Sequence, residues 1–369
     1  MENKFLGIIK RYDISYFAAT FAIFIIGIIN LYSATHADQD EHVMNLYKTQ
    51  IIWYIISVFV GVLVSFIRPK TLYRYSYFLY FFNILLLLMV LLFGKKVLGA
   101  QRWLAIGPMR LQPSEMMKVS MILALSRWFS NATPENDLGL KELIIPFIMT
   151  MMPVLFIVVQ PDLGTGILIV LIFFMMSFYR KLKWKSIMIV AVIGVIFSSI
   201  MYKYGLKEYQ RQRIITFLDP WGDARGSGYN AIQSEIAIGS GQLFGKGFKK
   251  SSQAFLSYLP ENHTDFIFSV YNEEHGFFGS LVLISLYVIL LLRFIWLSSS
   301  LMNFYDSLIT IGLMSIFFWH TFINMSMVTG LMPIVGIPLP LVSYGGSNLL
   351  TFGICCGMAT SISNSRNIF

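Results

Sequence analysis

The run FFGSLVLISLYVILLLRFIWL, residues 277–297, decides the class of fold. It carries a single charge, Arg293. About 20 apolar residues in a helix cross the hydrocarbon core of a bilayer. Reading outward with that ruler finds ten such runs, near 15–34, 51–67, 77–93, 113–129, 143–159, 163–179, 187–202, 277–297, 307–329 and 346–363. The whole chain agrees: of 369 residues, 56% are hydrophobic and only 13% charged. A soluble domain carries roughly 25% charge, and a soluble fold could not hide this much apolar surface. The composition also excludes intrinsic disorder, a collagen-like chain and a disulfide scaffold. The expectation is an all-α polytopic membrane protein forming one domain over 1–369. It would have ten transmembrane helices and a large extracytoplasmic loop, 203–276, between the seventh and eighth.

Charge sets the orientation. Cytoplasmic loops are enriched in Lys and Arg. With the N-terminus inside, about 14 basic residues fall in inner segments, among them Lys4, Lys10, Arg11, Arg68, Lys70, Arg74, Arg127 and the group Arg180, Lys181, Lys183 and Lys185. Short outer loops hold about five, Lys48, Lys95, Lys96, Arg102 and Arg110, four of them crowded between the third and fourth runs. Both termini are therefore expected in the cytoplasm. The formal charge of +9 speaks for topology and anionic lipid rather than nucleic acid. The segment MENKFLGIIKRYDIS leads into the first run without an early small-residue cleavage site, so the first helix is expected to be retained. Cys355 and Cys356 are adjacent and inside an apolar run, which suits small buried residues rather than a disulfide or metal site.

Charged groups at membrane depth are expensive and usually functional. Glu115 and Lys118, in LQPSEMMKVSM, are spaced to share one face of the fourth helix. They read equally as a buried ion pair that fixes packing or as the polar floor of a substrate cavity. Asp162, in QPDLGTG, reads first as the cap of the sixth helix. In LPENHTDF, Glu261, His263, Thr264 and Asp265 precede an apolar stretch, with Glu273 and Glu274 following. Asp265 or Thr264 could simply cap a helix, but an acid/base site would use such neighbours to tune a carboxylate. Upstream, Arg211 and Arg213 suit a phosphate or pyrophosphate group, or plain interfacial anchoring. Lys246, Lys249 and Lys250 read as solvated or lipid-facing charge. Tyr229 to Ile238 reads as an amphipathic helix. The uncharged stretch PIVGIPLPLVSYGGSN, 333–348, reads as a re-entrant loop held inside protein. No Walker A loop, zinc spacing, nucleophile elbow or dinucleotide fingerprint occurs.

Seven strings together resemble the SEDS family, the shape, elongation, division and sporulation proteins, in its rod-shape branch. They are GAQRWL (99–104), QPSE (112–115), QPDLGTG (160–166), RIITFLDPW (213–221), QSEIAIGSG (233–241), LPENHTDFIF (259–268) and GIPLPLVSYGGSN (336–348). The resemblance implies a ten-span fold in the bacterial cytoplasmic membrane. It implies polymerisation of lipid II, a disaccharide-pentapeptide on undecaprenyl pyrophosphate, into the peptidoglycan of the elongating cell. It makes Asp265 the essential aspartate, Glu115 with Lys118 the buried pair, and Trp103 with Arg102 beside it a family motif; with these, Asp162, Arg211, Arg213, Gln233, Glu261, His263 and Thr264 complete the candidate substrate contacts. His275, Asn230 and Asn348 depart from the family's usual residues, which touches fine substrate contacts only. The resemblance implies a class B penicillin-binding protein as transpeptidase partner, with other elongation-complex proteins. It leaves room for Mg or Mn, although the sequence holds no dedicated metal cage. A lipid II flippase and a non-catalytic scaffold are the alternatives. Neither needs an acid-flanked Asp265 on an external loop.

Overall fold

The computed structural model describes residues 13–366 apart from 37–39, 98–99, 107–108, 132–136, 207, 224–225, 227 and 257. Lys4, Lys10, Arg11 and Gly99 thus lie outside the described residues. The long helices are α1 Ser15–Thr35, α2 Leu46–Ser65, α3 Pro69–Phe93, α4 Pro113–Asn131, α5 Leu140–Val159, α6 Leu163–Tyr179 and α7 Trp184–Ile200. Two shorter helices follow, α8 Glu208–Leu218 and α9 Tyr229–Ser240, then the long α10 Ile267–Ser299, α11 Phe304–Val328 and α12 Gly346–Arg366. Every apolar run of the sequence falls on one of the ten long helices. Six of these, α1, α2, α3, α5, α10 and α11, are long and apolar enough to cross a membrane.

Burial explains which helices look less apolar. Helix α4 is enclosed by its neighbours and buries Glu115, Lys118, Ser114, Ser120 and Ser126. Helix α12 buries Ser347, Asn348, Thr351, Thr360 and Ser361. A central helix faces protein rather than lipid, so it can carry polar groups that find partners there. The outer helices expose Phe59, Leu63, Phe78, Phe81, Ile144, Leu155, Val192 and Leu292. A contiguous apolar surface on this scale marks contact with lipid. The chain is a multi-pass membrane protein.

The start of the described chain meets the C-terminal part of α12. The Asp13 carboxylate accepts from Ser363 Oγ at 2.8 Å, and Asp13 N–H donates to Asn364 Oδ1 at 3.2 Å. Basic residues gather at this same end. Tyr16 donates to the Arg293 carbonyl, Arg127 donates to the carbonyls of Tyr73 and Arg74, and Arg180 donates to that of Phe129.

Helices α2 and α12 form the most extensive helix pair. A Cβ at Gly357 would collide with the Gly61 carbonyl oxygen, and one at Gly353 with the Ser57 hydroxyl and carbonyl oxygens. Small residues let two backbones approach this closely, and in lipid such packing drives association. Gly357→Leu is expected to force these helices apart and destabilise the protein by about 3 kcal/mol, the upper part of the overpacking range. Thermal unfolding in detergent checks this.

Three features depart from the sequence reading. The segment between α3 and α4 is a small antiparallel sheet, β1 Lys95–Val97, β2 Ala100–Ile106 and β3 Met109–Leu111, in the order β1-β2-β3. Among the described residues these are the only strands beyond one isolated bridge, Leu138 with Leu182. The segment is short and punctuated by Gly99 and Gly107-Pro108, so a ladder satisfies its backbone where a helix cannot continue. Second, α10 begins at Ile267 rather than 277, with a non-helical break at Gly276 (φ 63°, ψ −161°). The polar residues of that first part disguise it. Third, segment 203–276 is largely structured, and α9 reaches Ser240, slightly beyond the expected amphipathic stretch. Residues 331–345 are non-helical yet bury Ile337, Leu339, Leu341, Val342 and Ser343.

Candidate active site

At the end of the bundle opposite Asp13, three segments of distant sequence meet. The first is the turn between α5 and α6. Asp162 caps α6, its carboxylate accepting from Thr165 N–H at 3.4 Å and Thr165 Oγ1 at 3.0 Å. The cap is also part of a wider network. Gln112 Nε2 donates to Asp162 Oδ2 at 3.1 Å, and Arg102 Nη1 lies 3.7 Å from Oδ1. Arg102 also donates to the carbonyls of Gln160 and Pro161. So β2 presents Arg102 to this turn, with partly buried Trp103 beside it on the same strand. The turn packs on the 331–345 loop, because a Cβ at Gly164 would sit 2.9 Å from the Val335 carbonyl oxygen.

The second segment is 261–266, and the loop 331–345 is the third. The loop and α11 grip the backbone of 263–265 residue by residue. Tyr344 N–H donates to the His263 carbonyl at 3.0 Å, Ser343 Oγ to the Thr264 carbonyl at 2.6 Å, and Asn324 Nδ2 to the Asp265 carbonyl at 2.9 Å. Asn324 Nδ2 also reaches the Ile337 carbonyl at 2.8 Å. The side chain of Asp265 faces Gly336, where a Cβ would lie 3.2 Å from Oδ2. Gly336 has φ +75°, a conformation that strains any residue with a Cβ. The loop's glycine thus leaves room beside the carboxylate.

Asp265 is partly buried, and its surroundings tune it. Burial pushes its carboxyl up to about 6, and nearby Glu261 pushes the same way. Arg213 and Arg102 pull it down, and Asp162 adds a smaller upward push. A carboxylate of this kind is ionised at neutral pH yet basic enough to take a proton. The peptide around it is built by Glu261 (φ +56°), whose Oε2 accepts from Thr264 Oγ1 at 2.9 Å and lies 3.9 Å from His263 Nε2. Glu261 therefore shapes the turn and raises Asp265.

Glu273 and Glu274 do not tune Asp265. Glu273 lies about two helical turns along α10 and is engaged by Lys246 at 2.6 Å, Ser251 Oγ at 2.5 Å and Ser252 N–H at 3.0 Å. Glu274 accepts from Ser33 Oγ of α1 at 2.5 Å. These carboxylates fasten the segment around 246–253 to the bundle. Lys246 is thus an ion-pair partner rather than solvated charge, and Lys249 donates to Tyr32 OH at 2.9 Å.

Arg211 and Arg213 also part company. Residues two apart on a helix lie on opposite faces. Arg213 stays within electrostatic reach of Asp265 and lines a cleft with Glu235, Ala231 and Met332. Arg211 donates to the Lys203 carbonyl at 3.0 Å and lines a different, outward cleft with Tyr202 and Ser199. Gln233 lies midway between Ala231 and Glu235, so the face of α9 that lines the Arg213 cleft is not the one that carries it. Ser234 docks this helix through Ser269 Oγ and the Val328 carbonyl, both at 2.7 Å.

Beneath the loop lies the buried pair. Lys118 Nζ is 2.9 Å from Glu115 Oε1, and Lys118 is fully buried. Lys118 Nζ is also 2.7 Å from His320 Nε2, and His320 Nδ1 is 3.2 Å from the Pro338 carbonyl oxygen. The sequence reading missed His320. Its signal was a titratable residue in an otherwise apolar run, four positions before Asn324 on one helix face. Among the described residues no three His, Cys, Asp or Glu side chains gather as a metal site.

The pattern of the FtsW/RodA/SpoVE family of cell cycle proteins matches residues 13–368. The chain belongs to this family. It is the SEDS family that the motifs resemble, and this chain is RodA-like within it. Peptidoglycan glycosyltransferase MrdB of Escherichia coli K12 is 41% identical over 83% of this chain and 82% of its own length. Peptidoglycan glycosyltransferase RodA of Treponema pallidum is 30% identical over 98% and 99%. The fold is similar to a chain solved in a study of structural coordination of polymerization and crosslinking by a peptidoglycan synthase complex, with TM-score 0.82 and 27% identity over 97% of this chain and 99% of that one. It is likewise similar to the rod shape determining protein RodA of Thermus thermophilus, with TM-score 0.72 and 27% identity over 96% and 97%.

Proposed function

We propose that the chain is a peptidoglycan glycosyltransferase that polymerises lipid II, with Asp265 as its general base. The observation that carries the base assignment is the gripped, partly buried Asp265 between two acidic and two basic neighbours. The acceptor's 4-hydroxyl gives its proton to the Asp265 carboxylate as its oxygen attacks C1 of the donor sugar. The bond from C1 to the pyrophosphate oxygen breaks, its electron pair leaves with undecaprenyl pyrophosphate, and a β-1,4 link forms. Inversion at C1 needs one such displacement and no covalent enzyme intermediate.

The leaving pyrophosphate needs positive charge where its own charge develops. Arg213 and Arg102 are assigned to it. Asp162 and the Gln160 and Pro161 carbonyls orient Arg102. Trp103, Thr264 and His263 are proposed as sugar contacts around the carboxylate, and the Glu115–Lys118 pair as the polar floor. Gln233 and Arg211 are reassigned to the periphery of the bound lipid. Among the described residues Asp265, Glu261 and Asp162 do not gather as a ligand set, and two arginines act on the same carboxylate, a surrounding that does not fit a resident Mg²⁺ or Mn²⁺. No step above runs through a metal.

We further propose that all ten long helices span the bacterial cytoplasmic membrane, with both termini inside and 203–276 on the outer side. The meeting of Asp13 with Ser363 and the basic residues at that end support this orientation. The chemistry makes linear glycan only, so a transpeptidase must act on the product. A class B penicillin-binding protein is the proposed partner, together with other elongation-complex proteins.

Purified protein in micelles with lipid II is expected to yield glycan strands resolvable on a gel. A flippase would move labelled lipid II between leaflets without forming strands, and that outcome would overturn the proposal. The rate is expected to fall with pH below about 6, to roughly a tenth at pH 5, as Asp265 takes up its proton. Arg213→Gln removes a group that pulls Asp265 down, so the same limb should move to higher pH. A profile unmoved by that substitution would dissociate Arg213 from the base.

A further inference from the structure

We propose that His320 is a positioning residue: it carries the placement of the buried Glu115–Lys118 pair to the loop that holds Asp265. This rests on the reading of Asp265 as the base. His320 is buried, and both of its ring nitrogens are engaged, Nε2 by Lys118 at 2.7 Å and Nδ1 by the Pro338 carbonyl at 3.2 Å. An ammonium has donors and no acceptor. Paired to Glu115 at 2.9 Å, Lys118 presents such a donor to Nε2, which must therefore accept. The neutral ring then carries its one proton on Nδ1 and donates it to Pro338. The opposite tautomer would set donor against donor at one nitrogen and lone pair against lone pair at the other. The charge pair thus selects the tautomer, and the tautomer holds the loop.

The loop passes this on. His320 and Asn324 lie four apart on one face of α11 and bind consecutive carbonyls, Pro338 and Ile337. Ser343 Oγ accepts from Leu339 N–H at 2.8 Å and donates to the Thr264 carbonyl. Asn324 reaches the Asp265 carbonyl with the same amide that holds Ile337. From Lys118 to the Asp265 backbone the links are hydrogen bonds of 2.7 to 3.2 Å joined through the backbone of residues 337–338. A loop freed at Pro338 shifts Gly336, whose α-carbon borders the Asp265 carboxylate.

The test compares His320→Leu, which keeps the bulk and loses both hydrogen bonds, with His320→Gln, which retains an acceptor and a donor. Misplacement of a reacting group by an ångström costs about a hundredfold in rate. His320→Leu is therefore expected to lower kcat about a hundredfold at nearly unchanged KM for lipid II, and His320→Gln to restore most of that rate. A residue needed only for packing would show the reverse order, Leu better tolerated than Gln, and that result overturns the proposal. Asp265→Asn is assayed in parallel. If Asp265→Asn polymerises at the wild-type rate, the base assignment falls. If it is inactive while His320→Leu is fully active, only the positioning role falls. Should His320→Leu fail to fold, ¹⁵N-histidine NMR of the wild type decides. The chain has five histidines, and the signal missing from His320→Gln must carry its proton on Nδ1. A proton on Nε2, or on both nitrogens, overturns the proposal.

Discussion

Asp265→Asn protein is expected to make no detectable glycan strands from lipid II while remaining folded. The asparagine keeps the size and planarity of the carboxylate. The contacts that hold this residue use its backbone: Asn324 donates to its carbonyl, and Ser343 and Tyr344 hold the two preceding ones. None of them depends on the carboxylate. What is lost is the capacity to accept the acceptor's proton, and general base catalysis contributes on the order of 10²–10⁴ in rate. The stability effect has the opposite sign. The folded-state pKa is raised from 3.8 to about 6, so the fold disfavours the ionised carboxylate. That cost is complete above about pH 6 and disappears as pH falls towards 3.8. At neutral pH the asparagine variant should therefore unfold at the same temperature as wild type or slightly higher. Inactivity with undiminished stability separates a lost base from a broken fold. Retained wild-type activity would remove Asp265 from the mechanism.

The second large effect concerns Glu115. Glu115→Leu leaves the Lys118 ammonium fully buried, with neutral His320 as its remaining partner. Removing one partner of a buried ion pair costs about 3–5 kcal/mol, because the other charge stays desolvated and unpaired. The variant is expected to accumulate poorly in membranes and to melt well below wild type in detergent. Glu115→Leu combined with Lys118→Met removes both charges and should recover most of that stability, since apolar replacement of a whole buried pair is often neutral. Recovery of stability by the double variant without recovery of polymerisation would separate the pair's two roles. It stabilises α4 electrostatically, and it orients His320. If the single variant melts like wild type, the pair is not buried as a charged unit.

Much of the fold was legible because lipid imposes a length and a polarity on each outer helix. All ten apolar runs end within about three residues of the ends of their helices. The largest departure is at the start of α10, which begins ten residues early because its first turns carry Asn272, Glu273 and Glu274. These side chains are polar, and their helix forms because partners elsewhere receive them: Ser33 on α1, Lys246, and the serines at 251 and 252. No local pattern announces such partners. Asp162 was legible as a cap because a cap's partner is three residues away. Its second partner, Arg102, is 60 positions upstream in sequence and was legible only as an odd basic residue in the wrong loop.

The sequence alone determined the membrane class, the placing of the long helices, the spacing that pairs Glu115 with Lys118, and the presence of an acid-flanked Asp265 beside an apolar stretch. These follow from rules that act over a few residues: a bilayer's thickness, a helix's period, a capping turn. Tertiary structure decided which carboxylates surround Asp265, which of two neighbouring arginines faces it, and what holds it. Glu273 and Glu274 drop out because distant serines and a lysine claim them. Arg211 drops out because α8 turns it to the opposite face. His320, Asn324 and Ser343 enter because a proline-rich loop with no charge of its own exposes carbonyls inside the protein, and buried carbonyls must be met by donors wherever in the chain those lie.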